Sequence, residues 1–153
     1  MERDIVVEPD IVVEPGTAEA IVVAWVEREL GGRVRSIAPQ ARWRPVWFVD
    51  LETDDGVLEL CVRGDRTDMA LIFPLDHEMR FQALLHDHGV RTARVYGWIP
   101  ELPAYVMGRV PGRPDFEGCP ADERDAVVDD YLALLVRLHS LPVEPFVAAG
   151  ITR

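Results

Sequence analysis

The stretch VLELCVRGDR, Val57 to Arg66, alternates apolar and polar residues with the period of a half-buried strand, then places a cation, Arg63, on the face shared by Glu59 and Cys61. A second misplaced charge follows in LDHEMRFQALLHDHG, where Phe81, Leu84, Leu85 and His88 form one helical stripe and Glu78 projects within it. An inward carboxylate left unpaired is either costly or protonated. A charge-assisted Arg63–Glu78 pair, two-pronged if guanidinium and carboxylate meet fork to fork, answers both anomalies. The pattern alone leaves a second arrangement open, with Glu78 solvated at the edge of its stripe and Arg63 exposed at a strand end.

Other chemistry-bearing residues are less suggestive. HEMRF is the first half of a zinc-protease signature without its second histidine, and His77, His86 and His88 point in different directions around their helix. His139 ends a helix, where an imidazole meets the last carbonyls. The tripeptide Arg63-Gly64-Asp65 falls at a strand end rather than on an exposed loop of a disulfide-rich secreted protein. Cys61 and Cys119 have neither metal-ligand spacing nor an obvious disulfide context, which points to a reducing, cytoplasmic setting. Trp25, Trp43 and Trp47 read as core residues.

The elements that must position these side chains are legible in order. In TAEAIVVAWVEREL, Thr17 can cap a helix that Gly31-Gly32 ends. The tripeptide Ile-Val-Val of that helix also occurs twice upstream, in IVVEPDIVVEPG, in extended settings. RVRSI, RPVWFVDLE and VLELCVRG read as strands, and Asp55-Gly56 is the signal for a two-residue hairpin with positive φ at both central positions. A helix follows over Leu75 to His88, then strands at Ala93 to Ile99 and Ala104 to Val110. After the loop PGRPDFEGCP, Asp122 caps a long helix ending near His139. Its broad apolar face, Val127, Tyr131, Leu134 and Leu138 widened by Val128, Leu132 and Leu135, must find a partner. The candidates are the N-terminal helix or a second copy through residues 122–139; without one, the chain is poorly soluble. The sequence thus describes an α+β fold with an antiparallel sheet.

Composition sets the outer bounds. The 153 residues are 48% hydrophobic and 28% charged, enough for a packed core. A net charge of -11 excludes a general nucleic-acid-binding surface. No run is long and apolar enough to span a membrane, and the acidic, proline-interrupted N-terminus is unlike a signal peptide.

A strand ending in a cation, a helix with an inward glutamate, two strands ending in AYVMGRVPG, a loop, and a helix finishing LLVRLHSLP together resemble the amino-terminal part of the aminoglycoside phosphotransferase-like family, relatives of the protein kinases. RWRPVWFVDL, FPLDHEMRFQALLHDHGV, RVYGW, YVMGRVPGRPDF and LHSLPVEPF are similar to one bacterial subgroup of it, from about Arg33 onward. The resemblance implies a kinase-like N-terminal lobe, a five-stranded antiparallel sheet with one packed helix, that binds ATP or GTP with magnesium for transfer to a small-molecule acceptor. It also implies roles. Arg63 is the strand cation that meets the phosphates and Glu78 is the glutamate that holds it. Cys61 is roof over the adenine and Met107 is the gatekeeper. The Gly108 carbonyl and the Val110 N–H meet the adenine edge. The corresponding boundaries are an N-terminal segment 1–32, the lobe 33–110, a linker 111–121, and the first helix and tail of a second lobe, 122–153.

Two departures accompany the match. The strand cation is arginine where these enzymes ordinarily have lysine, so its geometry is not interchangeable. The phosphate-covering segment IAPQARWRP has no glycine, and Arg42 and Arg44 are either phosphate ligands by side chain or exposed loop charges. In addition, the 153 residues contain no His-Gly-Asp, the segment that supplies the catalytic carboxylate in this family. The expectation is a nucleotide-binding lobe inactive alone, or a non-catalytic interaction module on the same fold.

Overall fold

The computed structural model describes residues 11–66, 68, 73–113 and 115–151. The first of the upstream Ile-Val-Val repeats lies outside them, and the second, Ile11 to Val13, carries no helix or strand. In chain order the elements are α1 (Ala18–Leu30), β1 (Arg33–Gln40), β2 (Val46–Thr53), β3 (Gly56–Gly64), α2 (Leu75–Asp87), β4 (Val95–Ile99), β5 (Ala104–Gly108), α3 (Ala121–His139) and α4 (Glu144–Ala148). The strands form one antiparallel sheet ordered β1-β2-β3-β5-β4.

Alternation along the strands gives the sheet two unlike faces. One carries Trp47, Val49 and Leu51 of β2, Leu60 and Val62 of β3, and Ala104 and Val106 of β5, all buried against Val22, Trp25 and Val26 of α1. Each such large side chain stabilises the fold by about 1.5–3 kcal/mol. Helix α1 therefore belongs to the same core as the sheet. Thr17 caps it, accepting from the Ala20 N–H, and Gly31 and Gly32 at φ 71° and 99° turn the chain into β1. A Cβ on Gly97 would lie 2.9 Å from the Trp25 ring, so this glycine makes the room for the indole.

Several local expectations need correction. The β2–β3 turn has Asp54 and Asp55 at its centre, and positive φ falls on Gly56 alone (122°), after the turn rather than inside it. Thr53 replaces the primed geometry with side-chain bonds, accepting from the Asp55 N–H and donating to the Gly56 carbonyl. β1 runs on through Pro39 to Gln40, which an edge strand tolerates because one row of its N–H groups needs no partner. β4 begins at Val95 and β5 ends at Gly108, shorter than the apolar patterns suggest. Pro120, not Asp122, stands at the N-cap of α3; Asp122 lies in the first turn. Helix α4, unforeseen in the sequence, puts Phe146 against Leu84 and Leu85 of α2 and Leu134 and Leu138 of α3.

No residue of α3 is buried. Leu134 and Leu138 pack into a second cluster with Leu85, Val90 and Phe146, whereas Val127, Val128, Tyr131, Leu132 and Val136 are exposed. The apolar residues of α1 are spent on the sheet, so the expected packing of α3 on α1 does not form. Among the described residues, no helix is long and apolar enough to cross a membrane.

Candidate functional site

The second face of the sheet carries the chemistry, and the strand register arranges it in three rows. Val46, Arg63 and Tyr105 are cross-strand neighbours; next come Phe48, Cys61 and Met107; then Asp50 and Glu59, which share Arg109. A cationic row, an apolar row and an ionic row thus lie side by side at strand spacing. Helix α2 covers the β4–β5 side, where Gln82 Nε2 donates to the Ala93 carbonyl at 2.8 Å.

Glu78 is the hub of the first row. Its Oε1 lies 2.8 Å from Arg63 Nε, its Oε2 lies 3.9 Å from an Arg44 terminal nitrogen, and the Tyr105 hydroxyl is 3.4 Å from Oε1. The inward arrangement of Arg63 and Glu78 is therefore the one adopted. It is not the two-pronged form: Arg63 Nε is buried but its N–H is not aligned on a hydrogen-bond acceptor, so the contact is a side-on Coulombic one. Nor does Glu78 share the stripe of Phe81 and His88, which turns to Phe146 at ring-centroid distances of 5.5 and 5.7 Å. With Gln82, one turn on, Glu78 faces the sheet instead. The Tyr105 hydroxyl donates to Gln82 Oε1 at 3.1 Å; burial, and then the adjacent Glu78 charge, push its pKa well above the usual phenol range.

The β1–β2 loop, Ala41 to Pro45, closes over these rows. Arg42, Trp43, Arg44, Val46, Phe48, Cys61, Arg63 and Met107 line a cavity of about 320 Å³. Its wall thus holds three guanidiniums and no carboxylate, in a chain of net charge -11. Arg44 is 7% exposed, and its Nη1 donates to Asp65 Oδ1 at 2.7 Å. The carboxylate of the Arg63-Gly64-Asp65 tripeptide is accordingly engaged by Arg44. Trp43, expected in the core, is 59% exposed, with the Arg44 and Arg66 guanidiniums 5.5 and 5.3 Å from its ring; Trp25 and Trp47 are buried as expected. Burial pushes the Cys61 thiol up in pKa against the opposing fields of Arg63, Arg109 and Arg42, so it remains a neutral wall.

Of the six residues singled out in the sequence, Cys61, Arg63 and Met107 line this cavity, and Glu78 stands behind Arg63. Gly108 and Val110 are not among its lining residues. The Gly108 N–H donates to the Arg94 carbonyl at 2.9 Å, and Val110, beyond the strand, is 71% exposed. Sequence reading missed Tyr105, Gln82, Asp65 and Arg109. Only Gln82 carried a signal, a polar residue one turn from Glu78. Among the described residues no three His, Cys, Asp or Glu side chains gather as a metal site.

An antiparallel five-stranded lobe, a strand cation braced by a helix glutamate, and a cavity lined by that cation define a kinase-like N-terminal lobe. The family model described as "Phosphotransferase enzyme family" matches residues 38–153, and the chain belongs to that family. No curated protein and no solved structure matches it.

Proposed function

We propose that this chain is the nucleotide-binding lobe of an ATP- or GTP-dependent small-molecule phosphotransferase, and that the 153-residue chain does not transfer phosphate by itself. The observation that carries the reading is the row order on the cavity face. Arg63, held by Glu78, is adjacent to an apolar row of Phe48, Cys61 and Met107, as an anionic group joined to a flat, weakly polar ring requires. In this reading Arg63 holds the phosphates while Cys61 and Met107 border the base, and the Gly108 carbonyl and Val110 N–H meet its edge. Bound nucleotide supplies the γ-phosphoryl group; the side chains here bind and orient it. The cavity wall carries no carboxylate, and Asp65 and Glu78 behind it are paired with arginine, so the ion would enter with the nucleotide.

A titration with ATP and magnesium tests the reading by thermal shift. The wild-type chain is expected to melt higher, and Arg63→Ala and Glu78→Ala to lose that shift. A wild-type chain unmoved at millimolar nucleotide would instead favour a non-catalytic interaction module, which the glycine-free loop Ala41 to Pro45 supports. Phosphate transfer from ATP by the purified chain without a partner protein would refute the proposed inactivity.

A further inference from the structure

We propose that Arg42 is the side chain with which the β1–β2 loop grips a polyphosphate, and that Arg44 is a positioning residue that holds the loop in place. The proposal deepens the nucleotide reading and rests on it for the identity of the natural ligand.

A loop can hold phosphate with backbone N–H groups or with side chains. The backbone route needs a concave nest, in which residues of opposite-handed conformation alternate so that successive N–H groups converge. Ala41 to Pro45 contains no glycine, and no non-glycine residue among those described has positive φ. The nest is therefore not formed, and side chains must do the work.

Of the two loop guanidiniums, Arg44 is already committed. It is 7% exposed, bonded to Asp65, close to Glu78 and packed on Trp43. Arg42 is exposed, lines the same cavity, and forms no ion pair among the described residues. The loop that presents it is braced on several sides. Two guanidiniums approach the Trp43 ring, the Trp43 carbonyl accepts from Arg66, and the Pro45 carbonyl accepts from the Gly64 N–H at 2.7 Å. Little ordering is left to be done on binding, which favours affinity. Arg42 and Arg63 then face the ligand from the loop and from the sheet, two planar donor forks suited to phosphate oxygens.

The test uses the purified full chain with inorganic tripolyphosphate, ATP and adenosine, with affinity read by calorimetry and stability by thermal melting. Tripolyphosphate is expected to bind, more weakly as salt rises. Arg42→Ala should lose about tenfold in affinity for tripolyphosphate and for ATP, as fits one charge-assisted contact, without lowering the unliganded melting temperature. Arg42→Gln provides a second variant that keeps the side chain's bulk. Arg28→Ala, an exposed arginine on α1 at the opposite face of the sheet, should bind as wild type, and Arg44→Ala should lower the melting temperature itself.

Unchanged affinity in both Arg42 variants overturns the inference, and if ATP still binds, the nucleotide reading survives it. Tripolyphosphate bound through Arg42 without ATP binding upholds the inference and removes the nucleotide reading. No binding of either compound removes both.

Discussion

Arg63 and Tyr105 stand opposite each other in the β3–β5 ladder, and both reach the same carboxylate oxygen of Glu78 from a helix entered 11 residues after β3 ends. The ladder sets the cation and the phenol side by side, and the helix delivers the charge that each must answer. Tyr105 thereby remains a hydrogen-bond donor, with Gln82 as its main acceptor.

That environment predicts an alkaline loss of stability. Burial and the Glu78 carboxylate raise the Tyr105 pKa, so the unfolded chain releases this proton at a pH where the folded chain keeps it. The contribution is complete below the ordinary phenol pKa and is lost as pH rises above it. Melting temperatures across the alkaline range should fall more steeply for wild type than for Tyr105→Phe. Phenolate absorbance should show one tyrosine resisting ionisation until the protein unfolds; three tyrosines titrating together would count against this.

Breaking the Arg44–Asp65 pair should be costly. Arg44 is buried, and Asp65→Ala leaves its charge with only the Glu78 contact at 3.9 Å. Loss of one partner of a buried pair costs about 3–5 kcal/mol, and the partial exposure of Asp65 places the expectation at the low end. Urea denaturation of Asp65→Ala and Arg44→Ala provides the measurement, and midpoints equal to wild type would be the contrary result.

Arg109 makes an otherwise unfavourable cross-strand pair tolerable. Asp50 and Glu59 are directly opposite in the β2–β3 ladder, and Arg109 binds both while its guanidinium covers the Phe48 ring at 5.3 Å. Like charges facing each other across strands are destabilising. Arg109→Ala should therefore lower stability by roughly 1 kcal/mol or more, with Asp50→Asn restoring part of it in the double variant. A double variant no more stable than Arg109→Ala alone would show that repulsion is not the cause.

Gly97→Ala should destabilise through overpacking. The added methyl meets the Trp25 ring at 2.9 Å, and forced contacts of this kind cost about 1–3 kcal/mol. Trp25→Leu, although harmful alone, should remove most of the additional penalty. Denaturant midpoints of the four proteins in this cycle measure the coupling, and purely additive changes would contradict it.

The extent of each element was set locally, and much of it could be read in advance. Thr17 and Gly31 bound α1, Pro74 precedes α2, and the period-two runs mark β2 and β3, because caps, turns and alternation are properties of neighbouring residues. The Arg63–Glu78 relationship was also legible, since a charge on an inward face has few stable solutions. The turn at Asp54-Asp55 was not, because two side-chain bonds from Thr53 stabilise a geometry that the Asp-Gly pair alone does not specify.

Sequence by itself determined the elements other than α4, their order, the paired charges and the resemblance to kinase-like enzymes. Tertiary structure decided which arginine is buried and which is exposed, where Trp43 goes, and how Tyr105, Gln82 and Arg109 enter the site. The physical reason is that the burial and pairing of a charge depend on neighbours from other strands and helices. Arg42 and Arg44 are two residues apart on one loop, yet only the arrival of Asp65 and Glu78 from elsewhere distinguishes them.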